Sequence, residues 1–286
     1  MKLFRNLFIY FAVFVILAWT LIPFYWVVLS SFTEPVELFS TPPHWIPSRI
    51  TLENFESILI TGKGFRGGIG TTATDLIKRG LINSLIVAGT ATIIMILISP
   101  MIGYVFARLE FPGKKLFFAY IIGMIAVPSW PVLIGLFAEF SKLKLLDTLR
   151  GLIILSVAYR IPFDTWFMKG YIGTVPRELD DAARIDGCTR LGLIYRIILP
   201  SSLPGLVAVI IISFLSSWNM FLAPLILTYT LKAKPITVTI SEFVSQYYSE
   251  WNLMAAGSLI AIIPPILTVI IFQKYIVKGL TAGAIK

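Results

Sequence analysis

The chain has 286 residues, of which 57% are hydrophobic and only 14% are charged, and it carries a formal net charge of +9. A soluble domain has roughly a quarter charged residues, so this composition excludes an ordinary water-soluble globular protein. Crossing a bilayer core about 30 Å thick takes about 20 apolar residues in a helix, and the chain contains apolar runs of that length. The composition therefore predicts an all-α integral membrane protein.

Six apolar runs predict six transmembrane helices in a single domain over residues 1–286. They cover approximately residues 7–31, 82–107, 116–138, 151–168, 204–229 and 254–273. The first run is too long for a cleavable signal peptide, and it ends in the bulky residues Phe24, Tyr25 and Trp26. We therefore expect it to remain as a membrane helix with an aromatic anchor at the interface.

The longest polar segment, residues 32–80, contains a glycine cluster at 62–70. A phosphate-binding loop needs a fixed glycine spacing, a Gly-Lys-Ser/Thr ending and a preceding strand, and this cluster has none of them. It is predicted to be a flexible loop, so the chain itself shows no ATP site.

The distribution of Lys and Arg predicts that both termini are cytoplasmic. With the N-terminus inside, the inner segments hold more Lys and Arg than the short outer loops do, and positive charge favours the inside. Only Lys78 and Arg79, beside the second helix, oppose this orientation. Because the positive charge lies mostly between apolar runs and orients helices, we expect no nucleic-acid partner.

The chemistry of an enzyme is missing from the apolar runs. An intramembrane enzyme would need paired carboxylates, a metal cluster or a nucleophile–base pair in the helices. The chain has one cysteine, Cys188, and one histidine, His44, and both lie outside the runs. We therefore expect no catalytic residue, no metal and no cofactor.

The inner loop at 169–203 predicts a helix–turn–helix between the fourth and fifth membrane helices. Pro176 suits the first turn of a helix, and three acidic residues favour its N-terminal end. The acids are Glu178, Asp180 and Asp181. An apolar face is predicted from residues three and four positions apart. Its members are Leu179, Ala182 and Ala183.

A second short helix is predicted after Gly187, which suits a left-handed helix stop. Thr189 can cap the new helix. Its predicted apolar face consists of Leu191, Ile194, Ile197 and Ile198. Such a pair of helices either lies on the membrane surface or docks a soluble partner. The three acids favour docking, since anionic lipid surfaces prefer basic faces.

This loop resembles the cytoplasmic loop of ABC importer permeases. The family pattern is Glu-Ala-Ala, three residues, Gly, nine residues, Ile, one residue and Leu-Pro. This chain has Asp181-Ala182-Ala183, Gly187, Ile197 and Leu199-Pro200 at those spacings. The one departure is Asp181 in place of Glu, which keeps the charge and shortens the reach.

Other segments resemble the smaller permease of maltose-type carbohydrate importers. They are Leu81-Ile-Asn-Ser84, residues 107–115, Trp218-Asn219 with Pro224, and residues 278–285. The resemblance implies a permease subunit, not an enzyme, that moves a sugar or related solute across a prokaryotic cytoplasmic (inner) membrane. It also implies two separate ATPase subunits, a second homologous permease in a heterodimer, and an extracytoplasmic solute-binding protein, besides membrane lipid.

The resemblance further implies that the loop is a coupling helix held in a cleft of the ATPase. The residues expected to take part in this coupling are Glu178, Asp181, Ala182, Ala183, Gly187, Ile197, Leu199 and Pro200.

The apolar runs contain four residues that could contact the solute. Arg160 and Asp164 are one turn apart, and such a pair either satisfies itself or faces the solute pathway. Trp218 and Asn219 could stack on and hydrogen-bond a sugar, or could pack between helices. The alternative function is an ion-gradient-driven secondary transporter or channel. It would require several intramembrane acids along one route, whereas the runs supply a single Arg–Asp pair.

Overall fold

The computed structural model describes residues 2–65, 70–245 and 248–282, and this part of the chain is almost entirely helical. Its α-helices in chain order are α1 (Lys2–Ser31), α2 (Glu53–Glu56), α3 (Ala73–Arg108), α4 (Lys114–Ile125), α5 (Ser129–Lys142), α6 (Leu149–Gly173), α7 (Glu178–Ile185), α8 (Arg190–Leu193), α9 (Leu199–Ser201), α10 (Leu203–Trp218), α11 (Leu222–Leu227), α12 (Ile236–Ser241), α13 (Trp251–Ala261) and α14 (Ile263–Ala282). Positions 66–69 of the glycine cluster and 283–285 of the C-terminal motif lie outside the described residues.

Three helical stretches of the described chain are long and apolar enough to cross a bilayer. They are Phe4–Ser31, Ala73–Arg108 and Trp251–Lys274. A fourth is obtained when Arg190–Ser201 and Leu203–Trp218, which are bent by 84°, are counted as one span. The all-helical membrane class is confirmed. Three of the six predicted runs lie within the continuous stretches, and the run 204–229 overlaps the bent pair only as far as Trp218. Helix α6 covers the predicted run 151–168 but carries Arg160 and Asp164 within it.

Two predicted runs are not continuous helices. The run 116–138 is divided into α4 and α5, because Pro128 lacks an amide hydrogen and disfavours helical geometry at the residue before it. The run 204–229 is divided at residues 219–221, and Pro224 lies in the first turn of α11, where a missing amide hydrogen costs no helical bond.

The chain forms two compact units. The first comprises Met1–Gly80 and Val238–Ile263, and the second comprises Leu81–Thr237 and Pro264–Lys286. In the first unit, α1 packs along α13. The buried amide of Asn54 donates to the carbonyl oxygens of Ser31 and Thr33 at 2.9 and 3.0 Å, and Asn252 of α13 donates to Asn54. Polar residues thus fix the end of α1.

In the second unit, glycines allow α6 to approach both α3 and α10 closely. A Cβ atom on Gly103 of α3 would lie 2.9 Å from the Met168 Cβ of α6. A Cβ atom on Gly205 of α10 would overlap the ring of Tyr171. Small residues commonly permit such close crossings between membrane helices. The resulting core also includes residues of the 169–203 loop, among them Val175, Ala183 and Ile198.

Candidate functional site

The loop predicted to be a helix–turn–helix has that structure, with α7 as its first arm. Arg177 lies at the N-cap of α7, and the acidic residues Glu178, Asp180 and Asp181 lie in its first turn. Negative side chains at this end oppose the positive pole of the helix dipole. Beside the loop, a hydrogen bond from Lys114 holds the pKa of Glu110 below its usual range, and the charge of Arg177 acts in the same direction.

A buried ion pair attaches α7 to the end of α3. The Nε atom of Arg108 lies 3.2 Å from Oδ2 of Asp180, and the two side chains are 4% and 5% exposed. Nη2 of Arg108 also donates a hydrogen bond of 2.6 Å to the carbonyl oxygen of Val175. One guanidinium therefore contacts both α7 and the segment that leads into it.

The buried face of α7 includes a charged residue. Asp180 and Ala183 are buried, whereas Leu179 and Ala182 are exposed. The predicted apolar face of Leu179, Ala182 and Ala183 is therefore divided between the exposed and the buried side of α7, because Asp180 turns inward to pair with Arg108. Ala183 packs in the core with Ile172, Val175 and Leu193.

The turn after α7 has the predicted chemistry. Gly187 adopts φ +73°, and the amide of Cys188 donates to the carbonyl oxygen of Ala183 at 2.9 Å. This is the left-handed helix stop that glycine makes without steric cost. The Thr189 hydroxyl then accepts a hydrogen bond of 3.1 Å from the amide of Gly192, which is an N-cap of α8.

The second arm contains a π turn at Ile194–Ile198 between α8 and α9. Its buried residues are Leu193, Ile194 and Ile198, while Ile197 and Leu199 are partly buried against the same core. Leu191, predicted on the apolar face, is exposed instead. Pro200 is exposed in α9, shortly before the 84° bend into α10.

The loop leaves a set of side chains in contact with solvent, which we call the loop surface. Its members are Glu178, Leu179, Asp181, Ala182, Ile185, Leu191 and Tyr195. Ile185 is 86% exposed. It lies in the loop and not in a membrane helix, so contact of a membrane helix with lipid does not explain this exposed apolar side chain. This surface combines apolar side chains with two carboxylates, and the same loop exposes Arg177, Arg184, Arg190 and Arg196, so it suits contact with a protein partner that carries charges of both signs.

The four residues predicted to contact the solute do not form one cluster. Arg160 pairs with Asp164, and the hydroxyl of Ser213 on α10 donates to the second carboxylate oxygen of Asp164. Trp218 is buried and stacks on Phe214, with 5.6 Å between ring centroids. Asn219 is exposed at the C-cap of α10. The structure therefore does not bring Trp218 and Asn219 together with the Arg–Asp pair at one cavity.

Sequence reasoning missed Arg108 and Ser213 as parts of these arrangements. Arg108 is one of the basic residues that orient the membrane helices, and its pairing with the 169–203 loop has no sequence signal because α4, α5 and α6 separate the two. The described residues contain no cluster of three or more His, Cys, Asp or Glu that could hold a metal ion.

Comparison with known proteins gives consistent matches. The family model described as binding-protein-dependent transport system inner membrane component matches residues 99–282. A probable ABC transporter permease of Pyrococcus horikoshii is 32% identical over 270 residues, which is 94% of each chain. The trehalose/maltose transport system permease of Thermococcus litoralis is 32% identical over 93% of this chain and 91% of its own length.

A third relative, the arabinooligosaccharides transport system permease of Halalkalibacterium halodurans, is 31% identical over 91% of this chain and 88% of its own length. Among solved structures, a chain of a bacterial ABC transporter for import of the acidic polysaccharide alginate superposes with a TM-score of 0.78. It is 18% identical and covers 96% of this chain and 98% of its own, so this likeness concerns the fold.

Proposed function

The chain belongs to the family of binding-protein-dependent transport system inner membrane components, and we propose that it imports a sugar or a sugar-containing solute. It is a membrane-spanning ABC importer permease, a transport subunit and not an enzyme. The names of two relatives, which refer to trehalose/maltose and to arabinooligosaccharides, support the solute class.

The proposal places both termini in the cytoplasm and the 169–203 loop on the cytoplasmic side. The bias of Lys and Arg toward the segments assigned to the inside supports this orientation. The extracytoplasmic side then contains the loops at residues 143–148 and 228–235, together with the segment after α1.

In the proposal, the loop surface docks on an ATPase subunit, and this contact transmits the energy of ATP hydrolysis. Its main support is that α7 exposes Leu179, Ala182 and Ile185 outward while a buried ion pair ties its opposite face to α3. An exposed apolar face on a stiffly held helix can transfer movement to the membrane helices. Glu178 and Asp181 would contact the partner directly. Gly187 would set the angle between the arms, and Ile197, Leu199 and Pro200 would connect the second arm to α10.

The full importer in this proposal contains two ATPase subunits, a second homologous permease and an extracytoplasmic solute-binding protein. A similar solved structure, that of a bacterial alginate ABC transporter, contains a periplasmic protein bound to an alginate pentasaccharide. By analogy, this chain would form half of a pathway. Arg160 would lie along the pathway, and Asp164 would hold it in place. Trp218 would take part in the packing of α10, and Asn219 would mark the C-terminal end of that helix.

Purification of the tagged chain in mild detergent, followed by identification of its partners, tests this function. We expect an ATPase subunit and a second permease to co-purify, and Ile185→Asp to release the ATPase because it places a charge in the apolar contact. Val36→Asp is a matched control, since Val36 is 87% exposed but lies in the segment after α1. A chain that purifies alone and moves solute without ATP would instead support the secondary transporter.

A further inference from the structure

A cavity of about 270 Å³ lies beside Arg160 in the second unit. Its wall includes Ser156, Tyr159 and Arg160 of α6, and Ser217 and Phe221 from the end of α10 and the segment after it. Ligand pockets generally have volumes of about 300–1,000 Å³, so this cavity is slightly smaller than that range. It has room for a single small ring rather than for a whole oligosaccharide.

Two polar atoms at this wall are buried without a hydrogen-bond partner. They are Nε of Arg160 and Oγ of Ser217. An unsatisfied buried polar atom costs roughly 1–3 kcal/mol, and native proteins leave few of them. The hydroxyl of Ser156, in contrast, donates to the carbonyl oxygen of Leu152 at 2.8 Å. Both residues line the cavity, so a small movement of their side chains would bring an unused guanidinium donor and an unused hydroxyl, which can donate and accept, to a ligand there.

The charge at the cavity is already balanced. Asp164 is fully buried, and its two carboxylate oxygens contact Arg160 and Ser213 respectively. The guanidinium of Arg160 also lies over the Phe163 ring, 4.7 Å from its centroid. An anionic ligand would have to compete with Asp164 for Arg160 and would leave a surplus negative charge in a low-dielectric environment. A neutral ligand with hydroxyl groups meets no such penalty.

Apart from Ser216, the rest of the wall is apolar and includes Leu133, Met220 and Phe221. Sugar rings present apolar C–H faces between hydroxyl-bearing edges, so an aromatic and aliphatic wall beside a few hydrogen-bonding groups matches both parts of such a ring. Sites for small molecules commonly combine an apolar lining with a small number of placed polar groups.

We propose that this cavity binds one ring of a neutral sugar, with Arg160 donating to a ring hydroxyl and Ser217 exchanging hydrogen bonds with another. Asp164 and Ser213 are positioning residues that hold Arg160 and keep the site electrically neutral. The inference rests on the proposed function and adds to it a site within this subunit and a preference for neutral over acidic sugars.

The test uses the whole importer, purified in lipid nanodiscs without its solute-binding protein, so that binding to the membrane subunits is measured directly. The probes are radiolabelled trehalose, maltose and arabinotriose, with a digalacturonate as the acidic counterpart. We expect saturable binding of at least one neutral probe and none of digalacturonate. Ser217→Ala and Arg160→Gln should each weaken neutral binding about tenfold or more, given the usual cost of a lost buried hydrogen bond.

Asp164→Asn should shift the preference toward digalacturonate, because Arg160 then lacks its counter-charge. Ser141→Ala is the control, since Ser141 is exposed at the end of α5 and should leave binding unchanged. The melting temperature of each variant shows whether it folds, and Ser217→Ala removes only one oxygen atom. Absence of neutral binding in an importer that assembles and hydrolyses ATP would overturn this inference alone. Wild-type affinity in a folded Ser217→Ala and Arg160→Gln pair would also overturn it. Failure of the chain to assemble with an ATPase would overturn the proposed function itself.

Discussion

Arg108 at the end of α3 and Asp180 in the first turn of α7 form an ion pair, 3.2 Å apart, that is almost completely buried. The two residues are far apart in sequence. Their pair joins α3 to the 169–203 loop, which follows α6. Removing one partner of a buried pair leaves an uncompensated charge, whereas removing both often costs little. Comparison of the single variants with the double variant therefore distinguishes the effect of the pair on stability from its effect on the mechanical connection between the loop and α3.

We expect Arg108→Leu and Asp180→Leu to destabilise the protein individually, each by about 3–5 kcal/mol, because each leaves one buried charge unpaired. The double variant should recover most of the lost stability. If the ion pair also transmits movement, the double variant should still transport fewer solute molecules per ATP than the wild type. Thermal melting in detergent and the ratio of transport to ATP hydrolysis in liposomes measure these two effects.

The pair of Asp181 and Arg184 is the matched control within the same helix. Its atoms are 3.8 Å apart and both side chains are largely exposed, so this pair contributes little to stability. Asp181→Ala with Arg184→Ala should leave the melting temperature unchanged. Equal effects of the buried and exposed pairs would contradict the role given to Arg108.

The two alanines of the motif should respond differently to enlargement. Ala183 is buried in the core, so Ala183→Leu should overpack it and cost about 1–3 kcal/mol. Ala182 is exposed, so Ala182→Leu should leave the melting temperature unchanged but block a close contact with the ATPase. Co-purification of the ATPase with each variant, together with thermal melting, checks this. Normal ATPase binding by folded Ala182→Leu would exclude Ala182 from the docking surface.

The sequence predicted the position of this loop well but not its orientation. The spacing from Asp181 to Pro200 located both arms, and Gly187 and Thr189 have the predicted stop and cap. The inward face of α7 could not be predicted because it depends on Arg108, and a hydrophobic pattern gives no weight to a charged residue that pairs inside the core. Local periodicity cannot detect a partner on another helix.

The second arm illustrates a different limit. The expected positions 191, 194, 197 and 198 follow the 3.6-residue period of an α-helix. The π turn at Ile194–Ile198 accommodates an additional residue, so the buried positions are Leu193, Ile194 and Ile198 instead. The pairing of Ser213 with Asp164 was equally inaccessible, since it requires knowledge of how α6 crosses α10.

Gly187 should be required for its backbone conformation alone. A Cβ atom there would meet nothing within 4 Å, so the only cost of a side chain is the left-handed φ of +73°. Gly187→Ala should cost about 1–2 kcal/mol, Gly187→Asn less, and Gly187→Pro should break the turn because proline fixes φ near −65°. The control is Gly170→Ala, a helical position that is also open, where alanine should be tolerated. Thermal melting should give this order, and a larger effect at Gly170 would contradict it.

Asp147 should hold together two loops that the orientation proposal places outside the membrane. Its carboxylate accepts hydrogen bonds from the amides of Tyr229 and Thr230, both at 3.0 Å, and from the hydroxyl of Thr230. Asp147 also has a φ of +54°, which aspartate and asparagine tolerate better than most residues do. Asp147→Ala removes all three hydrogen bonds and should increase amide hydrogen exchange at residues 228–230.

Asp147→Asn keeps an acceptor oxygen and the tolerance for positive φ, so it should change exchange much less than Asp147→Ala. The nearby Glu139→Ala removes only an exposed ion pair with Lys142 and serves as the control. If Asp147→Ala leaves exchange at 228–230 as slow as in the wild type, the contacts of Asp147 do not determine the order of this loop. Both variants remove one carboxylate, but only Asp147 accepts hydrogen bonds from the backbone of the opposite loop. An effect of Glu139→Ala equal to that of Asp147→Ala would therefore indicate a general response of the outer loops to the loss of negative charge.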